Sequence, residues 1–134
     1  MSVDIKVTIR PLPLFSKSGK GRIPFEHMAI AALPRNYELS LVICGDGLAR
    51  RMNQTYRHKE YSPNVLSFPL DKKSGEIFLN VAKAKREARK FGTTLRARLA
   101  LLFVHGIFHL NGLDHGEKME REEQKILKKF RLAG

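Results

Sequence analysis

Residues 93–112 read TTLRARLALLFVHGIFHLNG. Leu95, Leu99, Leu102, Phe103, Gly106 and Leu110 fall on one face at about 100° per residue, which predicts a helix from Leu95 to about Leu110. Much of the opposite face is also apolar (Ala100, Leu101, Val104), so the helix is expected to be buried on most sides. Thr93 or Thr94 can cap its start, and Gly112 ends it. A helix of this kind must be wrapped by other elements.

Those elements can be read outward from it. Val81, Ala84, Ala88 and Phe91 form a narrow apolar stripe on a preceding helix that stops at Gly92. A last amphipathic helix covers roughly Glu117 to Arg131, with Ile126, Leu127 and Phe130 apolar. Upstream, Val3, Ile5, Val7 and Ile9 alternate with polar residues, as do Tyr37, Leu39, Leu41 and Ile43. That period of two marks half-buried strands. Pro24 can open a helix, and Pro34 forbids its continuation past Leu33. Asp46 is expected to cap a helix running to about Tyr56, with Leu48, Met52 and Tyr56 on one face. Val65–Leu70 and Glu76–Asn80 read as two strands joined by a hairpin loop, DKKSG. The expected class is α+β: a single mixed sheet of about four strands packed by about five helices. The stretch PLPLFSKSGKGRIP (11–24) is a loop too short to separate domains, so residues 1–134 are expected to form one domain.

The chain has 134 residues, with 25 Lys and Arg against 13 Asp and Glu, a formal net charge of +12. Such an excess attracts polyanions, nucleic acid foremost. An ordinary basic surface and an anionic membrane surface are the alternatives. No apolar run approaches the roughly 18 residues that cross a bilayer, and the first residues lack a signal peptide's apolar stretch. A single cysteine, Cys44, excludes an intramolecular disulfide and fits a reducing, cytoplasmic setting.

Three of the five histidines fall between positions 105 and 115. His105 and His109 are one helical turn apart on one side of the helix. Gly112 can take a positive φ and bring His115 back toward them. Three imidazoles suit Zn²⁺ and leave one tetrahedral position for water, so one open zinc site is expected on the buried helix and the following turn. Asp114 either orients a ligand imidazole or caps the turn. His27 and His58 read as ordinary surface residues. The spacing HxxxHxxGxxH is similar to that of metzincin proteases, but those carry Glu after the first histidine, where this chain has Gly106. Proteolysis is therefore disfavoured.

The segment His105-Gly106-Ile107-Phe108-His109-Leu110-Asn111-Gly112-Leu113-Asp114-His115 closely resembles the signature of the YbeY family, H-G-x-x-H-L-x-G-x-D-H. Met52-Asn53-Gln54-Thr55-Tyr56-Arg57 is similar to that family's L-N-x-x-Y-R, Asn64–Pro69 to its [DN]-V-L-S-F-P strand, and Gly75-Glu76-Ile77 to its G-[DE]-I. Pro63 stands where the family usually has Thr, and Met52 where Leu is usual. The resemblance implies a bacterial single-strand endoribonuclease of mixed α/β fold. It would act in 3′ end maturation of small-subunit (16S) ribosomal RNA and in ribosome quality control. It further implies that His105, His109 and His115 bind one Zn²⁺ and that Arg57 is the basic active-site residue, His105 counting with it in the catalytic centre. Read from the residues alone, Arg57 either forks onto a phosphate or complements a helix C-terminus.

RNA is the expected partner, probed by Lys83, Lys85, Arg86, Arg89 and Lys90 on one helix and Arg96 and Arg98 on the next. Arg98 projects near the side of His105. The competing functions are a ribosome-assembly factor in which zinc only fastens a turn, and a degenerate metalloprotease.

Overall fold

A computed structural model describes residues 6–10, 23–112 and 116–132. The order is β1 (Lys6–Arg10), α1 (Phe25–Ala32), β2 (Glu38–Cys44), α2 (Asp46–Arg57), β3 (Val65–Asp71), β4 (Ser74–Asn80), α3 (Val81–Phe91), α4 (Leu95–Leu110) and α5 (Glu117–Lys129). The strands form one mixed sheet in the order β1-β2-β4-β3. β1 and β2 are parallel, as are β2 and β4, whereas β3 runs antiparallel to β4. The hairpin thus folds β4 back between β2 and β3. Asp71 fixes its tight turn by accepting from the Lys73 amide at 2.7 Å. Pro69, which cannot donate to a ladder, sits on the edge strand beside a register shift.

Alternation along the strands sorts side chains to two faces. Leu39, Leu41, Ile43, Ile77 and Leu79 join the main core, which holds residues of α1, α3, α4 and α5. Val42, Cys44, Leu66 and Phe78 point the other way, into a small cluster closed by Ala49, Leu48 and Met52 of α2. α4 is the axis of the main core: eight of its residues are buried, including Leu99, Phe103, Val104 and Ile107. Phe103 is fully buried and meets Phe25 edge-on, with ring centroids 4.8 Å apart. Cutting it to Ala costs about 3–5 kcal/mol.

The helix ends follow local chemistry. Thr94 caps α4, its hydroxyl accepting from the Ala97 amide at 3.0 Å. Gly92 closes α3 at φ 65°, and Gly112 turns the chain after α4 at φ 80°. Asp46 does not cap α2. Gly45 takes that position, and Asp46 is the first helical residue. Its carboxylate is drawn outward by Arg86 (2.8 and 2.9 Å) and by Asn80 Nδ2 (2.9 Å). α5 ends at Lys129, and its buried residues are Met119, Glu123 and Leu127, with Ile126 and Phe130 partly covered. Val3 and Ile5 of the first expected strand lie outside the described residues.

Candidate metal and nucleic-acid site

One turn of α4 approaches β3 unusually closely. A Cβ on Gly106 would lie 2.9 Å from Ser67 Oγ, 3.2 Å from Val65 Cγ2 and 3.3 Å from Ile77 Cδ1. Ser67 Oγ donates to the Gly106 carbonyl at 2.9 Å. The residue after His105 must be small for the helix to seat on the sheet. The position that carries a glutamate in metzincins has no room for one here.

That seating leaves His105 and His109 on the floor of an open groove of about 720 Å³. Their Nε2 atoms are 3.1 Å apart, with ring planes at 76°. On the far side of its ring, His105 Nδ1 lies 2.9 Å from Glu123 Oε1 of α5. The His105 side chain is 23% exposed and that of Glu123 9%. A carboxylate at Nδ1 holds that nitrogen protonated, so the Nε2 lone pair faces the groove. The two imidazoles therefore fit a metal. Bonds of about 2.0–2.1 Å to a tetrahedral cation place two nitrogens roughly 3.3 Å apart. The third expected ligand, His115, and the candidate orienting residue Asp114 lie outside the described residues. Among the described residues no set of three His, Cys, Asp or Glu side chains forms a metal cluster. Glu123 was not singled out from sequence. Its signal was a carboxylate four residues from Met119 and four from Leu127, inside an apolar stripe.

The groove walls come from α2, the 58–64 loop, β3 and α4: Arg57, Tyr61, Asn64, Ser67 and Arg98 are among them. Arg57 is exposed at the end of α2, where His58 leaves the helix in the left-handed region at φ 56°. Buried amides fasten the loop beyond. Asn53 Nδ2 donates to the Tyr61 carbonyl at 2.9 Å, and Asn80 Nδ2 to that of Pro63 at 3.0 Å. Asn53 Oδ1 is buried without a hydrogen-bond partner.

The expected basic contacts divide. Arg98 reaches the groove but is tied to Glu87, its Nε and Nη2 lying 3.1 and 3.0 Å from Oε1. Asn64 Nδ2 donates to both oxygens of the same carboxylate at 3.2 Å. Arg86 is paired with Asp46 at 2.8 Å. Hydrogen bonds from Arg86 and Asn80 hold the Asp46 carboxyl down at about 2. Lys83 donates to the Ser62 carbonyl at 2.7 Å. Lys85, Arg89 and Lys90 are exposed on α3 and do not line the groove, whereas Arg96 is half-buried with its Nε unpartnered. His27 and His58 are exposed, as expected.

The sequence profile of the family described as Endoribonuclease YbeY matches residues 25–131. The chain belongs to the YbeY family. The Endoribonuclease YbeY of Aromatoleum aromaticum is 40% identical over 108 residues, covering 78% of this chain and 70% of that one. Its namesake in Pseudomonas putida is 37% identical over 114 residues, covering 79% and 73%. A protein of Thermotoga maritima with a known solution structure shares the fold at a TM-score of 0.63 and 21% identity, over 96% of this chain and 92% of its own. The family resemblance drawn from the histidine segment and its companion motifs is thus borne out. No helix among the described residues is long and apolar enough to cross a membrane.

Proposed function

We propose that this family member is a metal-dependent endoribonuclease that cleaves single-stranded RNA. Its substrate is the 3′ end of small-subunit (16S) ribosomal RNA, and it acts in ribosome quality control in the cytoplasm. The observation that carries this reading is the pair of Nε2 atoms 3.1 Å apart on the floor of a groove walled by Arg57 and Arg98. His105, His109 and His115 would hold one Zn²⁺. When bound, such a cation supplies Lewis acidity toward a phosphoryl oxygen and acidifies a water.

The chain's own residues do the rest. The net charge of +12 draws the RNA backbone to the surface. Arg57 forks onto the scissile phosphate and stabilises the charge that builds on its oxygens. Glu123 fixes the His105 tautomer and ring angle. Asp114 is proposed to orient a neighbouring imidazole in the same manner. Asn53 and Asn80 pin the loop that follows Arg57, so the guanidinium starts from a fixed backbone.

The test is mass spectrometry of the purified protein for bound metal, paired with cleavage of single-stranded RNA with and without chelator. Zinc at one per chain, lost in His109→Ala together with cleavage, is the expected result. Absence of zinc with chelator-resistant cleavage overturns the metal reading. RNA binding without fragments favours the non-catalytic assembly factor, and peptide hydrolysis favours the protease.

A further inference from the structure

Tyr61 lines the groove with its residue surface 54% exposed, so an aromatic face with a polar tip is open to a ligand there. Its position is not the accident of a slack loop. Two fully buried asparagines spend their amides on this segment, Asn53 on the Tyr61 carbonyl and Asn80 on that of Pro63. Lys83 Nζ donates to the intervening Ser62 carbonyl at 2.7 Å and stands 5.6 Å from the Tyr61 ring centroid. The ring is thus presented by a backbone anchored at three consecutive carbonyls, with the Lys83 ammonium over one side of it.

Among the described residues, the other exposed aromatics lack this arrangement. Tyr56, which packs on Phe68 at 5.4 Å, and Phe91 both lie outside the groove lining, whereas Tyr61 is part of it. An exposed aromatic ring on an anchored backbone, with a positive charge near it in a groove, is what an unpaired nucleobase stacks on, while its phosphate meets the cation.

We propose that Tyr61 is a base-stacking platform for one nucleotide of a single-stranded RNA, the base taking the side of the ring away from Lys83 and the Lys83 ammonium attracting the adjoining phosphate. This rests on the RNA-cleaving reading and adds a subsite to it. Stacking requires an unpaired base, so the subsite selects against duplex. It also tolerates any base, because every base has a π face.

The test is an abasic scan. Binding of a short fluorescent single-stranded RNA to the full chain is read by anisotropy before fragments accumulate, with an abasic residue moved along the strand. Tyr61→Ala should weaken the intact strand about 5- to 100-fold. Tyr61→Phe should bind like the wild type and Tyr61→Leu like the alanine variant. At one position the abasic strand should cost the wild type that same factor and cost Tyr61→Ala almost nothing further. Equal abasic penalties in wild type and Tyr61→Ala at every position overturn the stacking role, even where Tyr61→Ala binds weakly. Normal wild-type cleavage alongside that result overturns the subsite alone. A wild type that neither binds nor cleaves RNA overturns the nuclease reading with it.

Discussion

Gly106→Ala separates two opposed effects of one methyl group. Alanine in a helix interior is favoured over glycine by about 0.8–1 kcal/mol. Here the new Cβ would meet Ser67 Oγ at 2.9 Å, Val65 Cγ2 at 3.2 Å and Ile77 Cδ1 at 3.3 Å. Val65 and Ile77 belong to β3 and β4, so they retreat only if the sheet or α4 moves. Overpacking of this kind costs about 1–3 kcal/mol, and loss of the Ser67 bond to the Gly106 carbonyl adds about 1 kcal/mol. The net expectation is a destabilisation of about 1–3 kcal/mol, read as a lower urea midpoint with unchanged slope. Gly47→Ala is the control. Gly47 lies in α2 with nothing within 4 Å of its would-be Cβ, so alanine should stabilise by about 0.5–1 kcal/mol. Ser67→Ala placed with Gly106→Ala removes the nearest atom and should recover part of the loss, a coupling of about 1 kcal/mol. If Gly106→Ala raises the midpoint as Gly47→Ala does, the close seating of α4 on β3 is refuted, and with it the steric account of why no glutamate stands there.

Arg57→Ala should retain zinc while RNA cleavage falls by about 10²–10³-fold, measured by single-turnover kinetics; unchanged cleavage removes the guanidinium from the reaction. Glu123→Gln should weaken zinc affinity about 10- to 100-fold in a competition titration with a chelator, because the amide supports the His105 tautomer less well than the carboxylate. The Asp46 carboxyl is depressed to about 2 in the folded chain, chiefly by its bonds to Arg86 and Asn80, so the stability it adds is complete above its unfolded value of about 3.9 and fades as pH falls through about 2. Both partners are well exposed, at 57% and 40%, which limits the gain to about 1 kcal/mol or less. Asp46→Asn should therefore lower the urea midpoint at pH 6 and leave it nearly unchanged at pH 2; an equal deficit at both assigns the effect to packing.

What could be read from sequence was local. The bounds of α4 were legible because Thr94 and Gly112 mark its ends and its apolar face is continuous. The strands were legible because Leu39, Leu41 and Ile43 alternate with residues bound for the opposite face. Partners distant along the chain were not. Asp46 looks like a cap until Arg86, forty residues on, captures it. Nothing in the sequence shows that Glu87 pairs with the Arg98 guanidinium while Asn64 donates to the same carboxylate. Glu123 looks like one more charge on an acidic helix until α5 is laid against α4. Helical spacing gives the direction of a side chain, and only the tertiary fold supplies what waits there.

The small cluster behind the sheet gives the chain a built-in reporter. Cys44 is buried there, and burial together with the nearby Asp46 charge pushes its thiol up to about 11, so at neutral pH it is both hidden and protonated. Alkylation of that sulfur requires α2 to lift from the sheet. Because α2 also carries Arg57, the labelling rate of one native cysteine times how often the arginine's supporting helix lets go, without any introduced probe.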